Sequence, residues 1–362
     1  MFYHFFYPAK EYWFVFNIFK YITVRAVGAS VTAFLVAVLL GPIVIRWLGQ
    51  MKVMNEVKRL HADRIHSFYA DKAQVPTMGG ILIIGSLLIA NLLWGDLTNR
   101  FLLLSLGVLL AFGLIGLIDD LLKLRSKSAQ GLSLLVKLTG QLMLGVLLGT
   151  YFYLDPEFST VLYAPFFKGL ALPLGLWFVP FTVAVLIGSS NALNLTDGLD
   201  GLAVGCLAFT AGTFSILTYV IGRADFARYL GIPFVAGTGE LSVFCASLVG
   251  VAVGFLWYNS YPATIMMGDT GSLSLGGALG IVAILIKSEI ALLIAGGIFV
   301  WEAISVLAQV ISFRCFGKRI FLMAPYHHHL QLKGLPESKV TVRLWIVAFI
   351  LSLICLGTLK LR

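Results

Sequence analysis

The amino-acid sequence predicts an all-α, polytopic integral membrane protein with about ten transmembrane helices. It reads as one transmembrane domain over residues 1–362, with both termini outside. Three observations carry that prediction: the composition, the length of the apolar runs, and the placement of lysine and arginine. The chain is 59% hydrophobic and 12% charged, whereas soluble domains hold about 25% charged and about 45–50% apolar residues. An ordinary soluble enzyme is therefore excluded.

A helix needs about 20 predominantly apolar residues to cross the hydrocarbon. Runs of that order fall at 23–48, 76–95, 101–119, 132–153, 173–192, 199–221, 239–258, 271–286, 290–311 and 341–358. The first follows an aromatic N-terminus (Phe2, Tyr3, Phe5, Phe6, Tyr7, Tyr12, Trp13, Phe14) suited to an interfacial anchor. The second opens on Pro76-Thr77-Met78-Gly79-Gly80, and the third ends on Asp119-Asp120. The fourth encloses Lys137. A polar stretch from Asn191 to Gly201 joins the fifth and sixth, and another from Asn259 to Asp269 joins the seventh and eighth. The eighth is the shortest, at 16 residues. The longest loop between spans separates the ninth from the tenth. Internal Gly and Pro are compatible with membrane helices. No internal repeat, low-complexity tract or soluble linker interrupts the series.

Lysine and arginine fix the expected orientation. One set of loops holds 15 of them, concentrated around Lys52–Lys72, Lys123–Lys127 and Arg314–Arg343, and the opposite set holds 10. The richer side is expected to be cytoplasmic. The net charge of +9 does not indicate a nucleic-acid partner, because the basic residues sit in short loops and not on a soluble scaffold. The four cysteines form no CxxC pair, so neither a disulfide framework nor a cysteine metal site is expected. The N-terminus lacks the layout of a cleaved signal peptide.

On this topology, five carboxylates (Asp119, Asp120, Asp197, Asp200, Asp269) and three imidazoles (His327, His328, His329) gather on the cytoplasmic side. Adjacent carboxylates such as Asp119 and Asp120 repel unless a cation is near, and magnesium favours a few carboxylates together with substrate phosphates. Lys123 stands one helical turn from Asp119. The plain alternative is a solvated helix end. In Asn191-Ala192-Leu193-Asn194-Leu195-Thr196-Asp197-Gly198-Leu199-Asp200-Gly201, polar side chains recur every third residue, in phase on a helix. An ordinary polar turn seldom needs that phasing.

The Gly268-Asp269-Thr270-Gly271-Ser272 run suits an anion at a helix N-terminus, although capping alone would explain one of its residues. Three consecutive histidines diverge too far to ligate one ion easily. Contact with phosphate suits them better, next to Arg314, Lys318, Arg319 and Lys333. Lys72, ahead of Pro76, either reaches a phosphate or marks the boundary. Inside the spans, Lys137 and Gln141 share one face, as do Glu302 and Gln309. Intramembrane ionisable groups are candidates for function, and helix–helix hydrogen bonding is the alternative for the glutamines.

Taken in order, these segments resemble the polyprenyl-phosphate N-acetylhexosamine-1-phosphate transferases. The matching residues are Pro76–Gly80, Asp119-Asp120 with Lys123, Asn194–Gly201, Asn259 with Pro262-Ala263, Met267–Ser272, and His327–His329 followed by Lys333-Gly334. The triple histidine after Ala-Pro resembles the muramoyl-pentapeptide branch more than the N-acetylglucosamine branch.

The resemblance implies ten spans, outside termini, a homodimer and dependence on Mg2+, in a bacterial inner membrane with the active site on its cytoplasmic face. It implies transfer of phospho-N-acetylmuramoyl-pentapeptide from a UDP carrier to undecaprenyl phosphate, giving UMP and lipid I. It assigns Asp269 to the metal, Asp119 to the acceptor phosphate with Asp120 beside it, and His328 among the catalytic groups. Lys72, Lys123, Asn191, Asn194, Asp197, Asp200 and Asn259 would line the nucleotide and metal pocket, and His327 and His329 would contact sugar or diphosphate.

Three positions depart from the family pattern. Met266 stands where an aromatic residue usually stacks on uracil, Gln331 where the family has an acid, and Tyr326 where it has an aliphatic residue. A cation-coupled transporter is the competing class. It would place carboxylates at the bilayer midplane and show a repeat between halves, and the sequence shows neither.

Overall fold

The computed structural model describes residues 1–51, 53, 75–125, 131–164 and 171–360. Lys72 lies outside the described residues. All ten predicted apolar runs form helices. They are α1 (Ile22–Gln50), α2 (Gly80–Trp94), α3 (Arg100–Arg125), α4 (Leu134–Leu154), α5 (Phe178–Thr196), α6 (Leu202–Ile221), α7 (Leu241–Asn259), α8 (Gly268–Leu285), the pair α9 (Glu289–Ala295) and α10 (Gly297–Phe316), and α12 (Glu337–Gly357). A short helix, α11 (Tyr326–Leu332), carries the three histidines. Among the described residues, nine helices are long and apolar enough to cross a membrane, and α2, at 15 residues, is a shorter apolar helix.

Two runs differ from their predicted outlines for local reasons. Residues 76–79 do not join α2. Pro76 has no amide to donate, Met78 adopts φ +67, and the segment pairs with 266–267 instead. The ninth run breaks at Gly296-Gly297 into α9 and α10. Glycine is about 1 kcal/mol poorer than alanine inside a helix, so a glycine pair is a ready place to break one.

The centre of the bundle is α8, where every residue from Thr270 to Leu285 is buried. It packs between α3 and α5. Small residues make this close packing feasible, as is usual where membrane helices meet. A Cβ on Gly116 of α3 would collide with the backbone oxygen of Asp269. Outside the bundle, β1 (Val161–Tyr163) pairs antiparallel with β2 (Ala171–Pro173), Val161 opposite Pro173. The aromatic N-terminus folds back on α2: Phe2 meets Trp94 edge-on with centroids 5.0 Å apart, and the Met1 amine donates to Leu92 O at 2.7 Å.

Candidate active site

The end of α3 and the start of α8 bring Asp119, Asp120 and Asp269 together. One carboxylate oxygen from each lies within 4.8 Å of the others. The three have different surroundings. Asp120 caps α8: its carboxylate accepts from the Asp269 N–H (3.2 Å), the Thr270 N–H (2.9 Å) and the Thr270 hydroxyl (2.7 Å). A carboxylate at a helix N-terminus satisfies orphan N–H groups and complements the helix dipole. Asp120 thereby fixes the turn that aims Asp269. Asp119 accepts from the Leu132 N–H at 2.8 Å and meets Lys123 Nζ at 2.5 Å.

Asp269 takes the densest contacts. Its Oδ2 meets Lys137 Nζ at 2.5 Å and Lys123 Nζ at 3.0 Å, while its Oδ1 accepts from Asn194 Nδ2 at 2.9 Å. Asn194 also reaches Ser272 Oγ at 2.7 Å. Lys137 comes from α4, three residues into the helix, and the sequence marked it only as an ionisable group inside a span, with no role in the site. Its signal was a lysine inside an apolar span, which only became informative once its partner was known. On the same face, Gln141 accepts from Asn191 Nδ2 at 2.8 Å, so Asn191 pins α5 to α4 one turn from Asn194.

By formal charge, three carboxylates facing two ammonium groups leave one negative charge over in a largely buried setting. Hard oxygen donors so spaced fit a divalent cation of the magnesium type. Both oxygens of Asp120 accept from the start of α8, whereas one oxygen each of Asp119 and Asp269 faces lysine ammonium groups, which a bound cation would displace. The cluster could hold a metal ion.

Sequence comparisons give the family. Residues 102–287 match the family model described as glycosyl transferase family 4. A phospho-N-acetylmuramoyl-pentapeptide-transferase of Geobacter sp. (strain M21) is 48% identical over 362 residues, covering 100% of both chains. One from Desulfatibacillum aliphaticivorans is 50% identical over 364 residues, and one from Oleidesulfovibrio alaskensis 48% over 367, again with full coverage of both chains. The chain belongs to the phospho-N-acetylmuramoyl-pentapeptide-transferase family, within glycosyl transferase family 4.

The rest of the family motifs divide between pocket and scaffold. Asp200 is buried and committed to the loops: its Oδ2 accepts from the Ala263 N–H at 3.0 Å, and its own N–H donates to Glu337 at 2.8 Å. Asn259 is buried likewise. It accepts from the Gly201 N–H at 3.1 Å and donates to Ile265 O at 2.8 Å. Both therefore hold the segments that carry Asp197 and Met266. Asp197 is half-buried at the end of α5. Met266 is half-buried and locked by its backbone, donating to Pro76 O at 2.8 Å and accepting from the Gly79 N–H at 2.9 Å.

The three histidines face three different partners. His327 Nδ1 lies 3.2 Å from Glu302 Oε2, with both side chains fully buried. His328 Nδ1 lies 3.0 Å from Gln331 Oε1. His329 Nδ1 accepts the Leu322 N–H at 3.1 Å, which fixes its proton on Nε2 in the neutral ring. Burial, helped by the Lys333 charge, holds the His329 imidazole below its ordinary value. Lys333 itself is exposed.

Proposed function

We propose that this chain transfers phospho-N-acetylmuramoyl-pentapeptide from its UDP carrier to undecaprenyl phosphate, giving lipid I and UMP for peptidoglycan synthesis. The observation that carries the reading is the Asp119–Asp120–Asp269 cluster with its two lysines, in a chain matched over its full length by transferases of that name. The single transmembrane domain would work in a bacterial inner membrane, with this cluster on the cytoplasmic face and both termini outside, as the loop charges suggest. The enzyme would be a homodimer.

The reaction brings anions together. An oxygen of the lipid phosphate attacks the β-phosphorus of the donor, a new P–O bond forms, and the bond from that phosphorus to the bridging oxygen breaks, releasing UMP. Magnesium, held by Asp269 with Asp119, would neutralise the diphosphate and the developing charge on the leaving group. Lys123 and Lys137 present ammonium groups to the oxygens of both substrates. Asp119 orients the acceptor phosphate and takes its proton where one is present. Asp120 and Asn194 keep Asp269 aimed. Lys72 would join this pocket, Met266 would pack beneath uracil, and His328 with its neighbours would contact the sugar or diphosphate.

An apolar groove of about 350 Å3 supports a lipid acceptor. It runs along α5, α9 and α10, lined by Phe181, Val185, Leu279, Phe299 and Val300, and reaches Ala192 and Leu193. Leu193 adjoins Asn194, which holds Asp269. A polyprenyl chain lying there would end at the turn of α5 that carries Asn194.

The test is product formation by purified protein in detergent, with undecaprenyl phosphate, magnesium and either donor. UMP and a lipid-linked muramoyl-pentapeptide product are expected from the muramoyl-pentapeptide donor. Transfer only from UDP-N-acetylglucosamine would move the chain to the sister branch, and no transfer from either would overturn the reading.

A further inference from the structure

We propose that Glu302 is the positioning residue of the histidine helix, pressing His327 against Gly198 so that α11 and the Asn194–Gly201 segment form one donor-binding surface. The inference rests on the transfer reaction proposed above. Glu302 sits in α10, inside a membrane-spanning helix, with no side-chain exposure. A carboxylate in that setting is costly unless it is paired. Its Oε2 meets two groups of one residue: the His327 N–H at 3.3 Å and His327 Nδ1 at 3.2 Å. The first contact supplies a cap to α11, which has no side-chain cap of its own. The second sets the Nδ1 edge of the ring against the carboxylate, at contact distance and without hydrogen-bond geometry.

The opposite edge of that ring is equally confined. A Cβ on Gly198 would overlap His327 Nε2 and come within 2.8 Å of Cε1. Residue 198 is therefore glycine because the imidazole occupies the side-chain space. Gly198 lies just past α5, whose Asn194 holds Asp269. A line of contact thus runs from Glu302 through His327 to the segment after α5, the helix whose Asn194 holds Asp269.

Two turns along the same face of α10, Gln309 secures the loop ahead of the histidines. It accepts from the Ile320 and Phe321 N–H groups at 3.1 and 3.0 Å and donates to Phe321 O at 3.1 Å. Glu302 is too enclosed to touch a substrate, so it acts through His327. Stability alone does not account for it. Its Oε1 has no hydrogen-bond partner among the described residues, and a buried polar atom without one costs stability.

The experiment compares full-length wild type with Glu302→Gln, Glu302→Asp and Gly198→Ala in detergent. It reads the thermal midpoint, UMP-release kinetics with each substrate varied, and calorimetric binding of UDP-N-acetylmuramoyl-pentapeptide without acceptor. Glu302→Gln should keep the wild-type midpoint within a few degrees. It should lower kcat/KM for the donor and weaken donor binding by about 10–100-fold, and leave the acceptor KM within about twofold. Glu302→Asp should recover part of the loss. Gly198→Ala should reproduce the donor-side defect, and combining it with Glu302→Gln should add less than the product of the two.

Wild-type donor kinetics and binding in Glu302→Gln would overturn the proposal. So would a loss shared equally by both substrates with a lowered midpoint, which is the mark of a purely structural residue. If Glu302→Gln does not fold, Gly198→Ala decides by the same donor-side criterion. If wild type binds the donor but releases no UMP, the transfer reading fails while the binding arm still decides the role of Glu302.

Discussion

Charge is buried at both ends of α2, and the two ends handle it differently. At the end near Asp96, Arg25 of α1 makes a bidentate pair with Glu240, at 2.7 and 2.5 Å. The Tyr3 ring lies 4.7 Å from the guanidinium, and the Asp96 N–H adds a third donor to Glu240 at 3.3 Å. One cation meets one anion, and the aromatic N-terminus covers them. At the Gly80 end, three carboxylates meet two lysines, one of which, Lys123, is 39% exposed. That cluster is unbalanced and open. Buried charge therefore does not by itself mark a site in this membrane protein. On the function proposed above, the charge left over and the exposure of Lys123 are what set the carboxylate cluster apart from the Arg25–Glu240 pair.

The contrast can be broken in either direction. Asp269→Asn should lower the transfer rate by at least about 10^3-fold, judged by the cost of removing a dedicated electrostatic stabiliser, with little change in thermal midpoint. Lys137→Met should cost about 10^2-fold in kcat, again with the fold retained. Wild-type rates in either variant would mean that the cluster is only a helix end.

Glu240→Gln should reverse the pattern. It leaves the Arg25 charge buried without its carboxylate, at a cost of about 3–5 kcal/mol in stability, while turnover per folded molecule stays as in wild type. A specific loss of turnover would join that end to the chemistry.

The smallest effect concerns Lys287, which is 2% exposed between α8 and α9, with its ammonium 3.4 Å from the Phe158 ring centroid and 4.5 Å from that of Phe178. Burial pushes the Lys287 amine down to about 7, and Glu289 opposes that shift. The unfolded chain keeps the ordinary lysine value, so between about pH 7 and about 10 it binds the extra proton. Stability should therefore rise with pH across that window and level off below it. Lys287→Met should flatten the melting curve against pH, and an unchanged slope would refute the assignment.

Much of this was legible in the sequence. Hydropathy located all ten helices, because span length and apolar content are one-dimensional properties. The glycine pair at Gly296-Gly297 was visible too, but a hydropathy window reports length and not a break. Asp119, Asp269 and Asn194 were marked by motif and do converge. What the sequence withheld was partnership. Lys137 is 132 residues from Asp269, Glu302 is 25 from His327, and Asp200 is 63 from Ala263. Through-space pairs of this kind decide whether a polar residue works in the pocket or braces it. Asp120, Asp200 and Asn259 each also accept from or donate to backbone groups of neighbouring segments, contacts that no motif announces.

The most direct test of the central claim, that the carboxylate cluster is a metal-dependent phosphate-transfer site, is to count bound Mn2+ as a magnesium substitute and measure transfer on the same samples of wild type and Asp269→Asn. An ion should be bound by wild type and lost in the variant, with transfer lost in parallel and abolished in wild type by chelator. Full transfer in chelator, or an ion retained by an inactive Asp269→Asn protein, would contradict it.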